Sequence, residues 1–217
     1  MAARGFLHIA LGLTLAVASP ALAPVLGPIV GGAALAAAPS SSQIAADVTA
    51  AVNDVKASDA YKSATVAEKA LMLANAVKGV IATALGQGAT SASIGSAMNT
   101  VVTAGTVNGS IAVEGAALAA VQVTQAGGAG ASEAAGLAVA VQQEPAVSAN
   151  IAATGGNQAA VTAVNSSGQT ITVLVPLSTV LTAAAGGNLT SGGTITGTTN
   201  GTGGTNSPCS GVLADYC

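Results

Sequence analysis

Side chains that carry most enzyme chemistry are nearly missing from this sequence. The chain has no tryptophan, one phenylalanine, two tyrosines and one histidine, and charged residues make up only 6% of it, against roughly 25% in an ordinary globular domain. The single histidine, His8, and the single arginine, Arg4, both lie near the start of the chain. Histidine is the commonest general base, and arginine the usual clamp for phosphates and carboxylates. We therefore predict a protein that is not an enzyme and that has no cofactor or metal site.

Charge and aromatic content also predict that the protein does not bind nucleic acid. Without Arg4, four lysines face eight acidic residues, so the net charge is about −4. Binding to phosphates needs clustered basic residues instead. Base stacking needs aromatic faces, and outside the first ten residues only Tyr61 and Tyr216 offer one.

The titratable side chains form no convincing catalytic pair. Ser58 and Lys62 lie one helical turn apart, as a Ser-Lys pair would, but the surrounding SDAYKSA favours an exposed turn between helices. The acidic residues of the central part are widely separated. We expect all five of them to be solvated: Asp47, Asp54, Glu114, Glu133 and Glu144.

Residues 1–36 have the pattern of a signal peptide. Arg4 supplies the positive charge, residues 6–15 (FLHIALGLTL) form an apolar run, and small residues follow. Two A-x-A cleavage sites fit, one after Ala18 and one after Ala36. The mature protein is therefore predicted to be secreted, periplasmic or at the cell surface.

An uncleaved membrane anchor is the alternative for the same segment. No charged residue occurs between Arg4 and Asp47, and about 20 apolar residues suffice to cross a bilayer. Pro20, Pro24 and Pro28 would break such a helix, which favours cleavage.

Alanine and valine in a helical pattern predict a mainly-α fold, a bundle of short helices bounded by glycines over residues 40–165. Capping boxes at Ser40 and Thr65 mark the start of the first two helices. Each of these helices carries an apolar stripe at the helical period. The second stripe consists of Val66, Ala70, Leu73, Val77, Val80 and Ala84.

The C-terminal part is less regular. Residues 166–187 contain a Thr- and Val-rich run at 169–175, which predicts a short strand, and Pro176 then opens a last helix. Residues 188–217 are dominated by Gly, Thr, Asn and Ser, which predicts a disordered tail. No charged residue occurs between Glu144 and Asp215, a pattern that favours assembly or a partner surface.

These features together predict an exported structural or surface-interaction protein without catalytic activity. It would act through small-residue helix packing and uncharged Thr/Asn surfaces, associating with itself or with an envelope component. The alternative is a membrane-anchored or membrane-associated oligomeric protein that keeps its N-terminal apolar segment. Four N-x-S/T sequences are candidate glycosylation sites in a eukaryotic secretory pathway: Asn108, Asn165, Asn188 and Asn200.

The only two cysteines, Cys209 and Cys217, are predicted to form a disulfide, because oxidising compartments preserve such bonds. Within one chain the bond closes a small ring, and between two chains it links subunits. We expect non-reducing mass spectrometry to show the loss of two protons within one chain. Replacing both cysteines by serine should leave the melting temperature of the helical domain almost unchanged, since a Gly/Thr/Asn-rich linker transmits little constraint. A disulfide-linked dimer, or unfolding of the double variant, would contradict this prediction.

Overall fold

Nine helices and one β-hairpin make up the residues that the computed structural model describes, 37–164 and 169–196. This architecture confirms the mainly-α prediction. The elements in chain order are α1 (Ser41–Ala57), α2 (Asp59–Ser63), α3 (Val66–Gly86), α4 (Ser91–Thr103), α5 (Gly109–Ala126), α6 (Ala131–Ala134), α7 (Leu137–Gln143), α8 (Pro145–Thr154), β1 (Gln158–Val164), β2 (Thr170–Pro176) and α9 (Leu177–Ala185).

The longer N-terminal helices begin at capping side chains. Ser40 accepts a hydrogen bond from the Gln43 backbone N–H at the start of α1. Thr65 and Glu68 form the complete capping box of α3, in which the Thr65 backbone N–H donates to the Glu68 carboxylate over 2.7 Å. The cap satisfies backbone donors that would otherwise lack a partner in the first turn. Both predicted helix starts are thus confirmed.

Helix α5 lies at the centre of the fold. Twelve of its 18 residues are buried, including the whole run 109–119. It packs against α3 most extensively and also against α7, α8 and α9, while α1 covers α3 and α4. A helix without a polar face belongs in the interior, and the sequence GSIAVEGAALA provides such a helix.

Close contact between α3 and α5 depends on a glycine in α5. A Cβ atom built on Gly115 would lie 2.5 Å from Val77 Cγ1 and 3.0 Å from the Ala74 carbonyl oxygen. Real side chains do not approach so closely, so the two helices could not keep this spacing with alanine at position 115. The tight approach brings Val77 and Ala74 into dense packing, which favours dispersion contacts.

The apolar stripe predicted for α3 is correct in its middle and wrong at its start. Leu73, Val77 and Ala84 are buried, together with Ile81. Val66, at the first position of the helix, is 75% exposed. The first turn extends beyond the elements that cover the rest of α3, so helical spacing alone did not reveal where burial begins.

The two strands form an antiparallel hairpin, with Gln158 opposite Pro176 and Val164 opposite Thr170. The strand predicted at 169–175 is confirmed as β2. The prediction of a purely helical domain over 40–165 did not include β1. Its residues Ala159, Ala160 and Val161 are buried in succession, so the strand lacks the alternation by which a half-buried strand is recognised.

Ordered structure continues past the boundary predicted at Asn188. Leu189 and Ile195 form an isolated antiparallel bridge and are both buried, and Thr194 pairs with Thr162 of β1. The segment is short and rich in glycine and threonine, but its two large apolar side chains reach the core. Residues 188–196 therefore belong to the packed domain, and the rest of the predicted tail, 197–217, lies outside the described residues.

Replacing Gly115 by alanine should destabilise the protein by about 1–3 kcal/mol, because the new methyl group overlaps Val77 and the Ala74 carbonyl. Gly79 of α3 is the matched control, since no atom lies within 4 Å of the site of its Cβ. Gly79→Ala should be neutral or stabilising by about 0.5–1 kcal/mol, as in an open helix interior. Urea denaturation followed by circular dichroism measures both. Equal stability of the two variants would contradict the proposed contact.

Candidate functional site

Several of the few charged and amide side chains bond to backbone groups of other elements. Three such bonds involve ionic side chains of the helices: Glu133 Oε2 accepts from the Ser91 N–H over 2.8 Å, Lys56 Nζ donates to the Thr106 carbonyl over 2.7 Å, and Lys78 Nζ donates to the Ser191 carbonyl over 2.9 Å. Amide side chains act in the same way: Asn99 Oδ1 accepts from Ala146 N–H, and Asn150 Oδ1 from Gly109 N–H. These side chains stabilise connections between elements that are distant in sequence.

The most unusual polar side chain is that of Glu114, in the middle of α5. The residue is 1% exposed. Its Oε2 atom accepts a hydrogen bond from the Ala160 backbone N–H of β1 over 3.1 Å. Its Oε1 atom is buried and has no hydrogen-bond partner among the described residues. The carboxyl group thus supplies an acceptor to a backbone N–H of β1, at the position that lies opposite Leu174 of β2.

Burial raises the pKa of the Glu114 carboxyl to about 8, and the hydrogen bond from Ala160 opposes this shift only in part. Desolvation disfavours the charged carboxylate, and within the described residues no cation compensates by pairing with it. The group is therefore mostly protonated at neutral pH. In that form the carboxyl oxygen still accepts from Ala160, and the interior carries no uncompensated charge.

The expectation that Glu114 is solvated is wrong, and Glu133 and Glu144 are only half-exposed. Glu133 bonds to the N-terminus of α4, where the Ser91 N–H and hydroxyl hold its pKa below the usual value. Asp47 and Asp54 are exposed, as expected. A signal for Glu114 was present, because every residue within four positions of it is small or apolar and offers no polar face.

A groove opens between α5, α7 and α9, and we call it the α5–α7–α9 groove. Its volume is about 430 Å³, and its lining side chains include Ala117, Ala120, Val121, Val139, Leu181 and Ala184. None of the described residues that line it is charged. Val139 is 49% exposed and is, with Val66, one of two large hydrophobic residues that are exposed in the described part of the chain.

The predicted glycosylation sites lie apart from one another. Asn108 is exposed, but it caps α5, with its Oδ1 accepting from the Ile111 backbone N–H and the Ser110 hydroxyl. Asn188 is half-buried beside the end of α9. Asn165 and Asn200, like the predicted disulfide pair Cys209 and Cys217, lie outside the described residues.

The Ser58 and Lys62 side chains are engaged with different partners. The Ser58 hydroxyl donates to the Val55 carbonyl and accepts from the Tyr61 N–H, which makes it a helix cap. Lys62 Nζ pairs with Asp59 Oδ1 at 2.9 Å on the surface. Over residues 37–164 and 169–196 no three His, Cys, Asp or Glu side chains come together as a metal site.

One helix in the described residues, α3, is long and apolar enough to cross a membrane by length and composition. Core helices of water-soluble domains satisfy the same criterion. In this fold α3 packs against α1 and α5. Comparisons with known protein families, curated proteins and solved structures find no match to this chain.

Replacing Glu114 by the neutral isostere glutamine should remove a pH dependence of stability. The folded protein holds the Glu114 proton more tightly than the unfolded chain, since the pKa is about 8 instead of 4.5. The free energy of unfolding should therefore fall as the pH rises from about 4.5 to about 8, by at most about 5 kcal/mol at 1.4 kcal/mol per pKa unit. Urea titrations between pH 5 and pH 8 measure this slope.

Glu114→Gln should flatten that slope. The control is Asp54→Asn, which neutralises an exposed carboxylate of α1 and should leave the slope as in the parent. If the parent protein and Glu114→Gln lose stability equally over this range, the carboxyl is not buried in the uncharged form.

Proposed function

We propose that the protein is an exported, non-catalytic structural or surface-interaction protein that assembles through small-residue helix packing and uncharged Ser/Thr/Asn surfaces. The observation that supports this most is the separation of charge across the fold. In the described part, every charged side chain lies between Asp47 and Glu144. The elements after Glu144, which are α8, the hairpin, α9 and residues 188–196, carry none.

The uncharged part of the described chain, after Glu144, still has many exposed residues. Its exposed residues are small or neutral, and they include Ser148, Thr154, Asn157, Thr170, Ser178 and Thr182. Ionic repulsion and the cost of desolvating charges are both absent on such a surface, so two copies can approach closely. Inside the fold, Gly115 likewise permits a close approach, because a residue without a side chain lets α3 and α5 come into contact.

The described side chains offer little support for catalysis. Glu114 is enclosed by the core, Glu133 is engaged with α4, and Ser58 is engaged in a cap. In this proposal the polar side chains hold the fold together. The neutral surface contacts a second copy or an envelope component. The membrane-associated alternative rests on residues 1–36, outside the described residues.

Self-association through the uncharged part should be sensitive to added charge. Ser178 and Thr182 are exposed one turn apart on α9, and Ala46 and Ala50 are exposed one turn apart on α1. The double variant Ser178→Glu/Thr182→Glu should weaken self-association about tenfold or more, because like charges would face each other across the contact. Ala46→Glu/Ala50→Glu adds the same charge to the part that already carries charged residues and should have little effect. Sedimentation velocity over a range of concentrations measures both.

Two results would contradict the proposal. One is a protein that stays monomeric at all concentrations and also fails to bind the cell-envelope fraction of its host. The other is an equal loss of association in both double variants. Intact mass of the exported protein tests the export step, with Ser19 or Ala37 expected as the first residue, whereas an intact Met1 in a fraction that requires detergent would favour the membrane-associated alternative.

A further inference from the structure

The described part of the chain ends near the α5–α7–α9 groove. The Thr196 N–H donates to the Asn188 carbonyl over 2.8 Å, and the Asn188 N–H donates to the Ala183 carbonyl over 2.8 Å. Ala184, the next residue, lines the groove. The C-terminal segment, residues 197–217, therefore starts within a short distance of this groove.

The groove and the C-terminal segment match in chemistry. The groove is uncharged, and Val139 is half-exposed in it without a covering side chain in the described part of the chain. The C-terminal segment is polar and glycine-rich for most of its length, and its large apolar side chains are grouped near its end at Val212, Leu213 and Tyr216. An apolar groove gains most from a ligand of this kind, since both lose apolar surface to water on contact.

We propose that Val212, Leu213 and Tyr216 bind in the α5–α7–α9 groove of the same molecule. About 15 residues separate Thr196 from Val212, and a Gly-rich chain of that length has a root-mean-square reach of about 20 Å. The helix α7 has seven residues and is only about 10 Å long, so the groove is within reach. The groove volume of about 430 Å³ lies in the range of about 300–1,000 Å³ typical of ligand clefts.

Because the segment and the groove belong to one chain, a weak contact is sufficient for binding. A segment joined to its site through a short linker is present at an effective concentration on the order of millimolar, so it occupies the site even when the separate peptide would bind poorly. The proposal goes beyond the proposed function, because it concerns a contact within one chain and does not require self-association.

The chain provides its own spectroscopic reporter. It has no tryptophan and two tyrosines, Tyr61 and Tyr216. Tyr61 lies half-buried near Lys69, with Nζ 5.6 Å from the ring centroid, and phenylalanine retains that ring. In full-length Tyr61→Phe protein, tyrosine fluorescence therefore reports Tyr216 alone. We expect acrylamide to quench it at least about threefold less efficiently than free N-acetyltyrosinamide, since a side chain bound in a groove is shielded from the quencher.

The groove variant and its control carry the same substitution, valine to aspartate, at two different positions. Val139→Asp puts a charge into the groove and should restore quenching to nearly the free value, whereas Val66→Asp puts the same charge on the other exposed valine, outside the groove, and should not. Far-UV circular dichroism checks that both variants keep their helices. Tyr216 as accessible as the free amide in the parent would overturn the proposal, and so would equal effects of the two variants.

A second measurement does not depend on altering the groove. Val212→Asp/Leu213→Asp should speed hydrogen exchange of the α7 amides by about tenfold, because the helix loses its cover. Thr202→Asp/Thr205→Asp adds the same charge to the polar part of the segment and should leave α7 unchanged. Protection of Tyr216 that disappears on dilution would show that a second copy supplies the segment, which also overturns the proposal.

Discussion

The middle of α5 is enclosed on all sides, and this constraint limits the size of its side chains. Six helices and strand β1 of the described part contact α5, and they can surround it only if its side chains are small. Residues 109–119 contain no side chain larger than that of isoleucine, leucine or glutamate. Gly115 marks the closest approach. Small side chains each bury little apolar area, so stability must come from fit and density instead of from large side chains.

A core of this kind cannot easily tolerate unpaired polar groups, and the protein has few charged side chains with which to pair them. Glu114 meets this need at Ala160 of β1, whose buried backbone N–H donates to the Glu114 carboxyl. Protonation of the carboxyl lets it do so without placing a charge in the core. Lys78 and Glu133 bond to backbone groups in partly buried positions. Solvent remains close there, so a charged side chain loses less hydration than it would in the core.

Charged residues are unevenly distributed over the surface, whereas the apolar core is not divided in this way. Charged residues belong to the first two-thirds of the described chain, and the hairpin and the last helices are neutral. A neutral surface of small and hydroxyl-bearing side chains gives no long-range steering to a charged partner. Contacts made by such a surface must depend on shape, which is the same requirement that the packing around α5 imposes inside the molecule.

Local signals in the sequence determined the helical class, the two capped helices at Ser40 and Thr65, and the strand β2, because caps, periodicity and β-branched runs act over a few residues. The tertiary structure decided which of the similar Ala-rich segments became the central helix, and it made β1 a strand although its alanines resemble those of the helices. It also placed Glu114 in the core and brought Leu189 and Ile195 back onto the domain. These outcomes depend on contacts between residues distant in sequence, such as Glu114 with Ala160 and Thr162 with Thr194. A short window shows the apolar surroundings of Glu114, but it does not identify the partners in these contacts.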